Sequence, residues 1–511
     1  MKLRTSFRVI TIFSMTALLL GAIGFISIQA RKATRNNALS AKPVAPQLAA
    51  SRPTSKKPHA FGQKAAEEIP SFNLYKNSFG FEPMFFVPSV TATKTASLAT
   101  DVNGNGFVNP GDTLMYSVVV SNSGTDAMNV VFTDQLNANL SLVGSATASP
   151  IATNDAYNVL GNVSISVPAG SGLLANDVNP QGTGTISASA GATSAQGGNV
   201  TVAADGSFTY NPPAGYTGTD TFTYTLTHSN TKTDTATVTL TVSGMIWFVN
   251  NNAASCTTRV NGCGRLSNPY SSLASFQAEN DGVGNNPAAN DNIFVYESAT
   301  TYSSTVTLLT GQKLIGQDAT ASLVTISGVT VPPNSATLPA MNTGAPATTI
   351  GNTVTLNTNT TARGFSVSSA TNTGMNDPAG AITGVSVSEV RVTSTTGTAV
   401  LFSSLGGTVS FISVSANGAA NGISLNSTTG SFTVTGDGTN NASGGTIQNI
   451  TSDGVLLTTA QNVSLTSMSI QNTAHYGVTG QAVTNFSFVN GTINNSGTAL
   501  SAQDSNIGFR S

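Results

Sequence analysis

The stretch DVNGNGFVNPGD, residues 101–112, sets oxygen-bearing side chains at alternate positions. Asp101, Asn103 and Asn105 take positions one, three and five, Gly106 is sixth, Phe107 lends a carbonyl at seven, Asn109 is ninth and Asp112 twelfth. This is the spacing with which a loop gathers ligands for calcium, a hard cation that needs six or more oxygens and a glycine where the chain turns sharply. Asp rather than a bidentate Glu at position twelve, Asn at ligand positions and the absence of flanking helices predict weak affinity, roughly high micromolar to millimolar. Such an ion would stiffen a module, since nothing nearby could use it for catalysis. An Asn-Gly and Pro-Gly turn joining two strands is the competing reading of the same residues.

A second pair with chemical potential is Cys256 and Cys263, the only cysteines, which flank the turn-forming TTRVNG. In an exported chain that spacing predicts a disulfide hairpin. A structural zinc site would need two further Cys or His ligands, and His475 is distant and alone.

The elements that must carry these groups follow from composition. Only 8% of the 511 residues are charged, against roughly 25% in ordinary globular proteins, and Gly, Ser, Thr, Asn and Val dominate. That mixture disfavours long helices, and the length demands several domains. A net charge of -2 supplies no field to gather nucleic acid. Lys2, Arg4 and Arg8 precede an apolar run from Val9 to Ile28, with Ala30 where cleavage could fall. Residues 1–30 therefore read as an export signal, or as an N-terminal membrane anchor if uncleaved. Residues 31–89 read as a flexible linker with a local aromatic cluster near Phe72 to Phe86.

From residue 90 to 148, TLMYSVVVSNSGTDAMNVVFTDQL alternates apolar and polar residues about a turn, the pattern of sandwich strands. With its KTAS and its Asp/Asn/Gly loop, this run resembles the short repeat domains of unknown function found in tandem on bacterial surface proteins. Residues 151–243 give short strands at near-regular intervals, as in an immunoglobulin-like sandwich. LLANDVNPQG and DGSFTYNPPAGYTGTDTFTYTLT resemble the cadherin-like repeats of bacterial adhesins. That resemblance implies acidic ligands near the module junction at Asp155, Asp177 and Asn179, residues that Asx turns explain equally well. Phe208, Tyr210, Phe222 and Tyr224 alternate along two strands and are expected in the core rather than on a ligand platform.

Beyond Met245 the pattern changes. Gly397, Gly422, Gly454, Gly477 and Gly497 precede small apolar triplets at spacings of 25, 32, 23 and 20 residues, with a second apolar strand in each interval. Such a period indicates a solenoid. In a right-handed parallel β-helix, inward Val, Ile, Leu and Phe stack coil on coil while Ser, Thr and Asn face outward. The run from WFVNNN to KLIGQD resembles the entry coils of bacterial surface β-helix proteins, with SSLASFQAEN as a short capping helix. The final GTALSAQDSNIGFRS stops within an expected coil, so the 245–511 unit is expected to be incomplete at its C-terminus.

The β-helix architecture also hosts pectate lyases and polygalacturonases, but a fold does not establish a reaction. Glycoside hydrolysis needs two carboxylates within several ångströms. The acids beyond Met245 form no adjacent Asp-Asp pair; Asp437 and Asp453 lie closer together than one coil; the cations are scattered; and His475 lacks the partners of a hydrolase motif. No catalytic residue is assigned.

The fold class expected is all-β: two small Ig-like β-sandwich modules followed by a right-handed parallel β-helix. The function expected is an exported, adhesin-like structural protein, secreted or on the cell surface or outer membrane of a bacterium. It would display a polar β-helix to glycan or surface-protein ligands, with calcium as a structural ion. No nucleic-acid partner is expected, and membrane contact only through an uncleaved N-terminal segment. The alternative is a polysaccharide-degrading lyase or hydrolase.

Overall fold

The computed structural model describes residues 7–17, 25–30, 89–122, 130–135, 140–143, 146–345, 347–378, 380–499 and 506–510, so the 31–88 part of the expected linker lies outside the described residues. The chain is nearly all β. No helix among the described residues is long and apolar enough to cross a membrane.

In the first module Val90–Thr100 and Thr113–Asn122 pair antiparallel, with the 101–112 loop as their connection. Two strands from the N-terminal 30 residues join this module: Phe7–Ala17 pairs with Thr113–Asn122 and Leu140–Val143, and Phe25–Ala30 pairs with Val130–Gln135. The sequence reading of that segment as a leader did not anticipate this. An apolar segment rich in Ile, Val, Phe and Thr has strand propensity, and the open edges of a small sheet offer it backbone partners.

The second module has two facing sheets. Asn199–Val202, Phe208–Asn211 and Ile165–Val167 form one, all antiparallel. Ile186–Ala190, Gly218–His228 and Thr233–Val249 form the other, to which Asp155–Gly161 adds in parallel, so this sandwich sheet is mixed rather than purely antiparallel. Alternation along Gly218–His228 sends Phe222, Tyr224 and Leu226 inward. Phe208, Tyr210, Phe222 and Tyr224 are all buried, and Phe208 meets Phe222 edge-to-face at 5.7 Å. The aromatic rows build the core.

Thr233–Val249 does not stop at the module's edge. Its C-terminal residues Ile246 to Val249 pair in parallel with Asn292–Val295, which pairs with Lys313–Gly316, and the ladder runs on through Thr361–Ser369, Ile382–Ser394, Leu405–Asn417, Thr429–Val434 and Gln461–Thr466 to Thr484–Val489. A second parallel ladder of eight short strands runs from Val306–Thr307 to Ile507–Arg510, and a third joins Thr446–Ile450, Ser469–Thr473 and Thr492–Ser496. Between residues 455 and 496 all three ladders step by one 23-residue interval, Val455 pairing with Val478, Val463 with Phe486 and Ile470 with Ile493, and the second ladder's final step from Val478 to Ile507 is longer. Val, Ile, Leu and Phe from successive coils merge into one buried column. Period-two alternation within short strands explains how a chain with so few charges fills an interior and still presents Ser, Thr and Asn outside.

The two bodies share a third core. Leu160 and Val163 of the sandwich pack with Ile246, Phe248, Phe294, Ile315 and Leu323 of the stack. At its centre lies Asn162, fully buried, with φ of 66°. Its side chain donates to the Ile246 carbonyl at 3.0 Å and accepts from the Gly215 N–H at 2.8 Å, while its own carbonyl accepts from Leu266 N–H at 2.9 Å. Because Trp247, Val249, Ile293 and Leu314 alternate with these residues and belong to the interior column, the sandwich packs against the outward face of the first strands and covers apolar side chains there that water would otherwise meet.

The helix expected from SSLASFQAEN spans Leu273–Glu279, with Ser272 as N-cap accepting from Ser275 N–H and Leu273 and Phe276 buried. Cys256 and Cys263 form the disulfide, with Cα atoms 5.5 Å apart.

Candidate functional surface

The 101–112 loop is closed by its own oxygens. Asp101 accepts from the N–H groups of Asn103, Gly104 and Gly106, the last at 2.7 Å, and Gly106 foremost holds its carboxyl below the usual range. Asn103 accepts from Asn105 N–H, and Asn105 from Phe107 N–H at 2.8 Å. Asn109 donates to Asn105 Oδ1 and to the Phe107 carbonyl. Asp112, at 1% exposure, accepts from Val102 N–H at 2.9 Å and Asn109 N–H at 2.7 Å. The predicted residues therefore converge as a chain of Asx turns, with Asp112 serving as the staple. All their free lone pairs are hard oxygen, the donor type calcium takes.

At the junction with the second module, Asp155, Asp177 and Asn179 meet residues that sequence reasoning missed. Asp177 accepts from Thr153 N–H at 2.7 Å and from the Tyr224 hydroxyl at 2.8 Å, and Asp234 accepts from Ala152 N–H at 2.9 Å. The incoming segment is thus clasped by carboxylates. Burial, then the Asp177 charge, pushes the Asp155 carboxyl up to about 7; burial foremost lifts Asp177 to about 6. One Asp155 oxygen, Oδ2, and Asn179 Oδ1 are buried without a hydrogen-bond partner. Asn179 donates to the Thr183 carbonyl at 3.3 Å. No group of three or more His, Cys, Asp or Glu placed to hold a metal ion occurs among the described residues.

The coil stack carries its own polar order. Asn449 donates to Asn417 at 2.8 Å, Asn472 to Asn449 at 3.2 Å, and Asn495 to Asn472 at 2.7 Å, an exposed ladder along one corner. Asn449, Asn472 and Asn495 have φ of 54°, 54° and 52°, a left-handed corner that Asn tolerates better than other side chains. Asn485 donates to Asn462 at 2.8 Å on a second corner, Gln471 to Gln448 at 2.8 Å, and Ser487 to Ser464 at 2.9 Å.

Residues 147–244 match the family model of the bacterial cadherin-like domain. The match coincides with the sandwich whose carboxylates clasp the incoming chain, and it ends at Gly244, inside the strand that continues into the coil stack. No curated protein and no solved structure matches the chain.

Beyond the cadherin-like domain, several ionisable groups of the stack are committed to the fold, whereas Arg391 is exposed. Arg363 grips Glu389 bidentately, Nε to Oε2 at 2.9 Å and Nη2 to Oε1 at 2.8 Å, and the Thr320 N–H and hydroxyl also donate to Glu389. Arg363 foremost holds Glu389 down to about 2, which leaves it a poor proton donor or acceptor at neutral pH. Lys313 closes the Leu323–Ser327 helix through the carbonyls of Ile326 and Ser327. Arg265 donates to Gly262 and to Pro212 of the cadherin-like domain. Asp437 is wrapped by its own loop through Thr439 and Asn440, whereas Asp453 accepts from Tyr476 N–H at 3.0 Å. His475 takes its place in the ladder through its backbone, donating to Ser452. A shallow surface depression beside Leu405, Thr428, Phe432 and Gln461 has no ionisable residue in its lining.

Proposed function

We propose that this chain is an exported bacterial surface protein of adhesion type, in which residues 245–511 form a right-handed parallel β-helix that displays a polar, chemically inert face. The parallel registers and the 23-residue step support the architecture. The match to the bacterial cadherin-like domain supports the surface setting. One observation carries the functional reading: outward side chains of successive coils bond to each other as Asn, Gln and Ser ladders, while acids and bases such as Glu389, Arg363 and Lys313 are bonded into the fold. Amide and hydroxyl rows at a strand-to-strand repeat offer many weak hydrogen bonds to a glycan or a partner surface, and repetition multiplies them. Residues 1–30 would direct export, and residues 31–89 would act as the linker.

Calcium is the structural ion in this proposal. Asp101, Asn103, Asn105, the Phe107 carbonyl, Asn109 and Asp112 would hold it in the first module, where it would supply charge that the loop's own hydrogen bonds do not. The test is a glycan array probed with the full chain, read for retention and for cleavage products together. Retention without cleavage is the expected result; release of shortened saccharides would replace display by catalysis.

A further inference from the structure

The first module is small and contains no cysteine; among the described residues Ala92 and Val118 pack together with Val120 against them. Modules this small need a staple that a few apolar contacts do not provide. The rest of the chain uses a disulfide for that purpose.

Where a staple would have to sit, the structure places Lys94 and Asp134. Lys94 lies on Val90–Thr100, which pairs with Thr113–Asn122; Asp134 lies on Val130–Gln135, which pairs with Phe25–Ala30 in a separate sheet. Nζ and Oδ2 are 2.5 Å apart, and the two side chains retain only 17% and 14% of their exposure. The Tyr116 ring, from the neighbouring strand, covers the amine at 4.3 Å. This is a direct side-chain bond between the two sheets of the module.

We infer that Lys94 and Asp134 condense into an intramolecular amide that covalently joins the two sheets of this module. A proton passes from Nζ to Oδ2 across the short contact, the neutral amine attacks Cγ, a Nζ–Cγ bond forms and a Cγ–Oδ bond breaks. The departing oxygen leaves with two protons from the original ammonium as water, and the third stays on the amide nitrogen. Ammonium plus carboxylate therefore gives amide plus water, with charge balanced and no oxidant or reductant required. In bulk water the reverse reaction prevails. Within the fold, the pair is held at reacting distance, for which effective molarities reach about 10⁵ M or more, and the Tyr116 ring limits return of water. The bond stands independently of the display reading, since it concerns how the module withstands unfolding rather than what the coils bind.

The test is tandem mass spectrometry of a tryptic digest of the full chain after folding. The expected product is a branched peptide containing Lys94 and Asp134, lighter by one water than its two arms, with no cleavage after Lys94. Two separate linear peptides with cleavage after Lys94 would show an ion pair only and overturn the inference. Lys94→Arg keeps the charge pair but removes the nucleophile, so the mass deficit must vanish; a deficit that persists would place the dehydration elsewhere and also overturn it. Asp134→Asn should give the same branched peptide, with ammonia as the leaving group in place of water.

Discussion

Asn162→Ala should loosen both bodies of the protein at once, because Asn162 is the polar pin of the core they share. The substitution leaves the Ile246 carbonyl and the Gly215 N–H without their side-chain partner in a fully buried site. Each orphaned group costs about 1–3 kcal/mol. Alanine must also adopt the left-handed conformation that Asn holds at φ of 66°, which adds about 1 kcal/mol. The combined loss is on the order of 3–7 kcal/mol, a large fraction of the stability of a typical domain. Trp247, the only tryptophan, is fully buried beside the junction and donates to Asp291 at 2.8 Å, so its fluorescence reports the joint while far-UV circular dichroism reports all strands. In denaturant titration of the full chain, Asn162→Ala should move the Trp247 transition to lower denaturant. Asn162→Gly should recover about 1 kcal/mol of the loss, because glycine adopts positive φ freely. A Trp247 transition unmoved by Asn162→Ala, or equal losses in the Gly and Ala variants, would refute this account of the junction.

Other consequences are equally open to measurement. The raised carboxyls of Asp155 and Asp177, about 7 and about 6 in the fold, mean that the folded state binds protons more tightly than the unfolded state. The stabilising contribution of this pair is then fullest below about pH 4 and declines as pH rises from there to about 7, by roughly 2 kcal/mol once solvent screening of these partly exposed groups is counted. Asp155→Asn should flatten that slope in thermal melts recorded across the window, and an unchanged slope would contradict the clasp. Asn472→Ala removes two exposed ladder bonds and places alanine at positive φ; a loss of about 1–2 kcal/mol in chemical unfolding is expected. Millimolar calcium should raise the melting temperature of the full chain and release or absorb heat in calorimetry, and Asp101→Ala should abolish both; no heat and no shift with the parent chain would remove the ion. Reducing Cys256–Cys263, separated by seven residues, should cost about 2 kcal/mol on the loop-entropy scale, read as a lower unfolding midpoint under reductant.

Much of this arrangement is legible in the sequence because it rests on short-range rules. Alternation exposed the aromatic strands that now form the cadherin-like core, the Cys pair around a turn gave the disulfide, and SSLASFQAEN gave the Leu273–Glu279 helix with its Ser272 cap. Gly422, Gly454 and Gly477 each precede paired strand starts on successive coils, the 436–445 loop lengthening the first interval, whereas Gly397 and Gly497 lie out of step with Val400 and Ile507. What stayed hidden depends on contacts between distant residues. Asp234 completes a clasp whose other members lie near Asp155 and Asp177, and Thr320 meets Glu389 across 69 positions. The ladder did leave a signal: Asn449, Asn472 and Asn495 recur every 23 residues, as do Asn462 and Asn485. The change of pattern at Met245 suggested a boundary at residues 243–245, and Gly244 does adopt positive φ there, yet the backbone resumes strand geometry at once and carries Thr233–Val249 across both bodies. In the first module, the pairing of the N-terminal strands could not be read from an apolar stretch that equally suits a leader.

The central claim is that the chain beyond residue 245 winds in parallel coils, and that between residues 455 and 496 outward residues meet their counterparts 23 positions on. Ser464 and Ser487 occupy directly paired positions on adjacent coils, with hydroxyls 2.9 Å apart. Paired strands lie about 4.8 Å apart, within the Cα range that a disulfide spans. The Ser464→Cys/Ser487→Cys variant, mildly oxidised and mapped by peptide mass spectrometry, should form the new cross-link in the folded chain, while Ser464→Cys combined with Asn490→Cys, out of register, should not. A folded chain in which the in-register pair stays reduced, or in which both pairs link equally, would contradict the coil register and the display surface built upon it.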